Sequence, residues 1–126
     1  MEPTLSMQTA AVLFGVSALG GLVMAGLRFS GRAYPPASLA MLHGLLSGGA
    51  LTLLIYAWFT VGLPLYAAVA TVLFVIAACG GVAMNLGYHW NHLPLPKWLV
   101  LTHAVVAVAA FVLLLAALWQ HAPVAG

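Results

Sequence analysis

The chain has 126 residues, 65% of them hydrophobic, and only four charged side chains: Glu2, Arg28, Arg32 and Lys97. A soluble domain needs roughly a quarter of its residues charged to coat its surface, so a charged fraction of 3% excludes a water-borne globule. A net charge of +2 is too sparse for a surface that tracks nucleic-acid phosphates, and the single Cys79 excludes an intrachain disulfide.

Apolar runs of about 20 residues, the length that crosses roughly 30 Å of hydrocarbon, occur at residues 9–27, 38–59, 65–87 and 98–119. The connecting segments 28–37, 60–64 and 88–97 hold the three basic residues and most of the prolines. Backbone polar groups must be paired inside lipid, and each run is long enough to pair its own as a helix. The expected fold is therefore all-α, an integral membrane four-helix bundle forming one four-span domain over residues 1–126. Glu2 precedes the first run and no basic residue does, so that run reads as a retained span and not as a cleaved signal. Arg28, Arg32 and Lys97 all fall in the first and third loops, which lie on one side of a four-span chain. The bias of basic residues makes that side cytoplasmic and puts both termini outside, as in a multi-pass protein of a bacterial-type inner or plasma membrane. Phe29, Tyr34, Tyr88, Trp90 and Trp98 on the charged side, with Trp58, Phe59, Tyr66 and Trp119 on the other, stand where interfacial aromatic belts form.

The chain aligns with itself, without gaps, at an offset of 60. Leu13-Phe14 meets Leu73-Phe74, Gly20-Gly21 meets Gly80-Gly81, Met24 meets Met84, Pro36 meets Pro96 and His43 meets His103. Over positions 11–60, 14 of 50 pairs are identical, roughly double to triple the chance level for this composition. The reading is two two-helix repeats, about 9–60 and about 69–120, inserted parallel to one another because each holds an even number of spans. Around the histidines the identities fall at −7, −4, 0, +7, +10, +11 and +14, a sector of roughly 100° at 100° per residue. A shared face of this kind is expected to point inward.

An ionisable side chain inside a span is costly and marks a functional candidate. His43 and His103 each lie seven residues past a proline, at one depth on the basic side. Inward histidines on diagonal helices of a bundle suit the two faces of a flat macrocycle, whose iron they would ligate. Ser47 and Ala107, four residues on, and Ala50 and Ala110, seven on, are small and on the same face, leaving room beside the rings. Arg28, Arg32 and Lys97 stand on the side where the propionates of a haem would seek cations, and His89 and His92 in the third loop are candidates to contact those propionates or to move protons for a quinone. No C-x-x-C-H is present, so one non-covalent haem b is the expected cofactor, with His43 and His103 as metal ligands. Two imidazoles alone are a poor set for bare zinc or copper. The plain alternatives are histidines that only pack helices, a Gly44-x3-Gly48 packing seam, an Asn85 that bonds across spans and a Cys79 that packs as a small residue.

With a duplicated helix pair and histidines on spans two and four, the chain resembles the four-helix membrane b-type cytochromes, among them the family that takes electrons from ascorbate. The resemblance implies that His43 and His103 are axial ligands of one haem b. The second histidine pair of the ascorbate-type family has no counterpart here, and a second haem is not implied. Gly20-Gly21 followed by Arg28 is similar to a feature of the small fluoride channels, but the later signatures of that family are missing. The small multidrug exporters need a carboxylate within the membrane, and the only acid is Glu2. The expected function is electron transfer, as a cytochrome or an oxidoreductase subunit, with the bilayer, a quinone and other membrane subunits or copies of the chain as partners. A cofactor-free scaffolding subunit and a small channel or transporter stand as alternatives from other classes.

Overall fold

Prolines set where the helices begin. Pro3 lies in the first turn of α1 (Pro3–Phe29), and Pro36, Pro64 and Pro96 directly precede α2 (Ala37–Thr60), α3 (Leu65–Met84) and α4 (Lys97–Gln120). A helix start has no use for the missing N–H, and the fixed φ of proline suits it. The computed structural model describes residues 2–122, and no strand occurs among them. The chain leaves α1 and α2 through Gly31 at φ 116° and Gly62 at φ 80°, a backbone conformation that a side chain would strain. Helix α3 continues into one π-helical turn, Asn85–His89, closed by the Trp90 N–H donating to the Asn85 carbonyl at 2.8 Å.

Two boundaries differ from those expected of the sequence. Helix α1 begins at Pro3 rather than at residue 9, because the uncharged Ser6 and Met7 are buried in the bundle and carry the helix beyond its apolar run. The third span reaches His89 instead of ending at Gly87, because the π turn extends it into the segment read as a loop.

The four helical segments are 27, 24, 25 and 24 residues long, and each is long and apolar enough to cross a membrane. Leucines, valines and aromatic residues cover their outer surfaces, an apolar exterior that water does not tolerate at this extent. Helix α1 packs chiefly on α2 and α3 chiefly on α4, and the two pairs meet along the α1–α4 and α2–α3 seams. Positions 60 apart share their surroundings. Ala50, Leu54 and Ala57 in α2 and Ala110, Leu114 and Ala117 in α4 are all 0% exposed, and Ala10, Phe14 and Ser17 in α1 are buried like Ala70, Phe74 and Ala77 in α3. The shared face of spans two and four is thus the inner one.

The tight packing is confined to one end. The core is built from Met7 to Phe14, Ala50 to Ala57, Ala67 to Phe74 and Ala110 to Ala117, all in the half of the bundle away from the basic loops. Its many alanines let the backbones approach closely. The rings of Phe14 and Phe74 stack across the bundle, with centroids 3.7 Å apart and planes 4° from parallel. In the half nearer the basic loops, the inward positions Gly21, Met24, Leu39, His43, Gly81, Met84, Leu99 and His103 are only half-buried. Side chains on the inner face are more accessible there than in the closed half.

Ala50→Leu and Ala110→Leu insert extra carbons into the closed half, and each should lower stability by about 1–3 kcal/mol. Gly44→Leu, within α2 at a position where an added Cβ meets nothing within 4 Å, should not lower it, since any helix-forming side chain gains over glycine there. Denaturant titration in detergent measures all three.

Candidate functional site

Each histidine lies on the inner face of its helix, in line with the buried alanine and leucine positions that follow it. His43 is the seventh residue of α2 and His103 the seventh of α4, about 9 Å along the helix axis from its start at 1.5 Å per residue. Their rings come together across the bundle with centroids 6.2 Å apart and planes at 68°.

The tautomer of both rings follows from their partners. His43 Nδ1 lies 2.8 Å from the carbonyl oxygen of Ser17, and His103 Nδ1 lies 2.8 Å from that of Ala77. A carbonyl only accepts, so each Nδ1 carries the proton and donates it. Each Nε2 is then the basic nitrogen, with a lone pair available. Neither Nε2 makes a hydrogen bond, and no buried side-chain nitrogen or oxygen among the described residues lacks a partner, so both Nε2 atoms open onto accessible space. Imidazoles that ligate metals are commonly oriented by this kind of Nδ1–H to carbonyl bond.

Glycines make the ring positions available. A Cβ on Gly21 would stand 3.1 Å from Cε1 of His43, and one on Gly81 would stand 3.4 Å from Cε1 of His103. The two sites differ in their polar support. Around His43, the Ser17 hydroxyl lies 2.9 Å from Nδ1, donates to the His43 carbonyl at 3.1 Å and is hydrogen-bonded to the Ser47 hydroxyl. The matching residues near His103 are Ala77 and Ala107. Sequence reasoning singled out Ser47 as a small neighbour and missed Ser17, which stands 60 residues before the non-identical Ala77 and so left no mark in the self-alignment.

The remaining candidates divide between two layers. Ala50 and Ala110 are fully buried in the closed half, one layer beyond the rings, and are packed instead of leaving a gap beside them. At the other end, Arg28 Nε donates to the Leu95 carbonyl at 2.7 Å and Nη1 to the Arg32 carbonyl at 3.2 Å, while the Leu95 N–H donates to the Ala33 carbonyl at 2.9 Å. Those bonds tie the two basic loops together. Lys97 Nζ stands 5.6 Å from the centre of the Phe29 ring, joining α4 to α1, and Arg32 is exposed. Tyr34 stacks on His89 at 5.3 Å, and its hydroxyl lies 3.3 Å from Nδ1 of His92, which has φ 55°. His89 and His92 therefore form a cluster with Tyr34 at the basic surface. Asn85 is exposed in the π turn, Cys79 is exposed on the outer side of α3, and Gly44 and Gly48 face open space, so none of them serves the packing role expected within the chain. His121 closes α4, its Nδ1–H donating to the Ala117 carbonyl at 2.8 Å.

Two shallow apolar grooves lie on the outer surface, one lined by Ile55, Trp58, Phe59, Thr71, Val72 and Val75 and one by Ala104, Val105, Val108 and Ala109. Neither includes a histidine. Among the described residues no three of His, Cys, Asp and Glu come together as a metal-binding group. Comparison with protein-family models, curated proteins and solved structures gives no match for the chain.

Gly21→Ala should force the His43 ring to shift, because the added methyl sits inside the ordinary contact distance. Gly81→Ala meets its histidine at an ordinary distance and should gain the roughly 0.5–1 kcal/mol that alanine holds over glycine in a helix. Thermal unfolding in detergent should place Gly21→Ala below Gly81→Ala.

Proposed function

We propose that the protein is a membrane b-type cytochrome, or a cytochrome-like subunit, that holds one non-covalent haem b between His43 and His103. It relays electrons between a quinone or another redox partner and a neighbouring membrane protein. The observation that carries this reading is the pair of unpartnered, accessible Nε2 atoms on inward rings whose centroids are 6.2 Å apart. An imidazole nitrogen binds a transition metal at about 2.0–2.1 Å, and its ring centre lies about 1 Å further back, so two rings gripping one ion from opposite sides have centres roughly 6 Å apart. An edge-to-face pair of rings in simple packing has a similar spacing. The unpartnered Nε2 lone pairs favour the ligand reading.

The donor set favours a macrocycle over a bare ion. Two imidazoles leave a zinc or copper ion short of ligands, whereas a porphyrin brings its own ring of nitrogens and asks the protein only for axial ones. The more accessible half of the bundle, between the stacked Phe14 and Phe74 and the tied basic loops, is where a flat group would lie. When bound, haem supplies one-electron chemistry at its iron. The chain's own contributions are distinct. The Ser17 and Ala77 carbonyls hold each ring in the tautomer with Nε2 free, Gly21 and Gly81 leave space for the rings, and the closed half keeps water from the floor of the site. Arg28, Arg32 and Lys97 would supply positive charge at that end of the bundle for the carboxylates a haem carries. His89 and His92, clustered with Tyr34 at the basic surface, would exchange protons with a quinone there.

In the same reading the two helix pairs insert parallel in a bacterial-type inner membrane, with basic loops cytoplasmic and both termini outside. The histidines lie about 9 Å from one face of a core roughly 30 Å thick, so electrons are exchanged on the basic side and a partner subunit completes any passage across.

The purified protein from haem-replete cells should show a low-spin Soret band that shifts on dithionite reduction and is lost in both His43→Ala and His103→Ala. A colourless, folded preparation overturns the reading and leaves the scaffolding role. Ion or solute flux in proteoliposomes without a chromophore would instead indicate a channel or transporter.

A further inference from the structure

The two halves of the chain supply a comparison that few sites allow, in which one histidine carries a hydroxyl network and its counterpart carries none. At His43, the Nδ1–H faces two acceptors of the same residue, the Ser17 carbonyl at 2.8 Å and the Ser17 hydroxyl oxygen at 2.9 Å. The Ser17 hydroxyl lies 3.1 Å from the His43 carbonyl and is hydrogen-bonded to the Ser47 hydroxyl, and whichever of the two takes its single proton, its oxygen keeps a lone pair for the Nδ1–H. Ser17 is 2% exposed, which keeps water from competing for these bonds. At His103 the Nδ1–H has the Ala77 carbonyl at 2.8 Å, with methyl groups of Ala77 and Ala107 where the hydroxyls would be.

We infer that Ser17, backed by Ser47, is a positioning residue that makes His43 the stronger and more firmly held of two unequal metal ligands. A second acceptor on Nδ1–H draws the proton further from the ring and leaves more electron density on Nε2, which raises its basicity as a ligand. The two Ser17 contacts at Nδ1 hold the ring against rotation, and the Ser17 contact with the His43 carbonyl joins α1 to α2 beside it. His103, held by one bond, is the ligand that yields first. A more basic axial nitrogen favours the more highly charged ferric state, so Ser17 lowers the reduction potential of a haem held here. The effect on potential rests on the haem reading, but the inequality of the two rings does not.

Two measurements keep the two ideas apart. In the haem-free protein in detergent, NMR of histidine labelled with 15N should place the His43 Nδ1–H proton downfield of that of His103, and Ser17→Ala should remove the difference. Equal shifts in the unsubstituted protein overturn the inference whatever the cofactor. In the haem-loaded protein, redox titration should give a higher midpoint potential for Ser17→Ala and a lower one for Ala77→Ser, each with altered low-spin electron paramagnetic resonance g-values. Ala77→Ser places a hydroxyl where the matching position of the first half already accommodates one, so it serves even if Ser17→Ala does not fold. Unchanged potentials and g-values in Ala77→Ser overturn the inference while the cytochrome reading stands. A preparation that takes up no haem, yet shows the NMR difference, overturns the cytochrome reading alone.

Discussion

The arrangement at the centre of this protein depends on a single kind of bond made twice. A ring N–H on one helix of each pair reaches the backbone carbonyl of its neighbour, from His43 to Ser17 and from His103 to Ala77, both at 2.8 Å. A helical carbonyl already accepts one bond within its own helix and has a second lone pair to offer, so the link costs the helix nothing. It sets the tautomer, fixes which nitrogen is available, and locks the pairs α1–α2 and α3–α4 at the level where the inner face becomes more accessible. In an apolar setting such a bond is expensive to leave unmade, which makes the ring orientation as firm as the helix packing.

Much of the fold was legible because membrane crossing is a severe constraint. Four apolar runs, prolines at 36, 64 and 96, and a charged fraction of 3% leave little besides four helices. The self-alignment also picked out the inward face of α2 and α4, since identical residues had gathered where packing is tightest. The ends were harder to read. Ser6 and Met7 are buried in the bundle although the segment around them is not apolar enough to register as a span, and a π turn at Asn85–His89 has no reliable sequence mark.

The site was legible only in outline. His43 and His103 stood out because they matched at the offset of 60, whereas Ser17 did not, because its counterpart is alanine. A comparison that rewards identity is blind to the very position at which the halves diverge. Arg28 was read as a cation on the side of the haem propionates, and its guanidinium is engaged with the Leu95 and Arg32 carbonyls, a role that depends on two loops far apart in the chain. Gly44 and Gly48 have the spacing of a helix seam but face outward, because their angle from His43 on the helix, about 100° and 140° at 100° per residue, turns them away from the inner stripe.

The Phe14–Phe74 stack has a mechanical meaning. It lies about one helical turn from Ser17 and Ala77 and belongs to the core of the closed half. The stack joins α1 of one helix pair to α3 of the other, so it braces the bundle across its diagonal. The loop ties at Arg28 and Leu95 join the same two helix pairs at the opposite end, so the imidazoles sit in a stretch of the bundle clamped above and below.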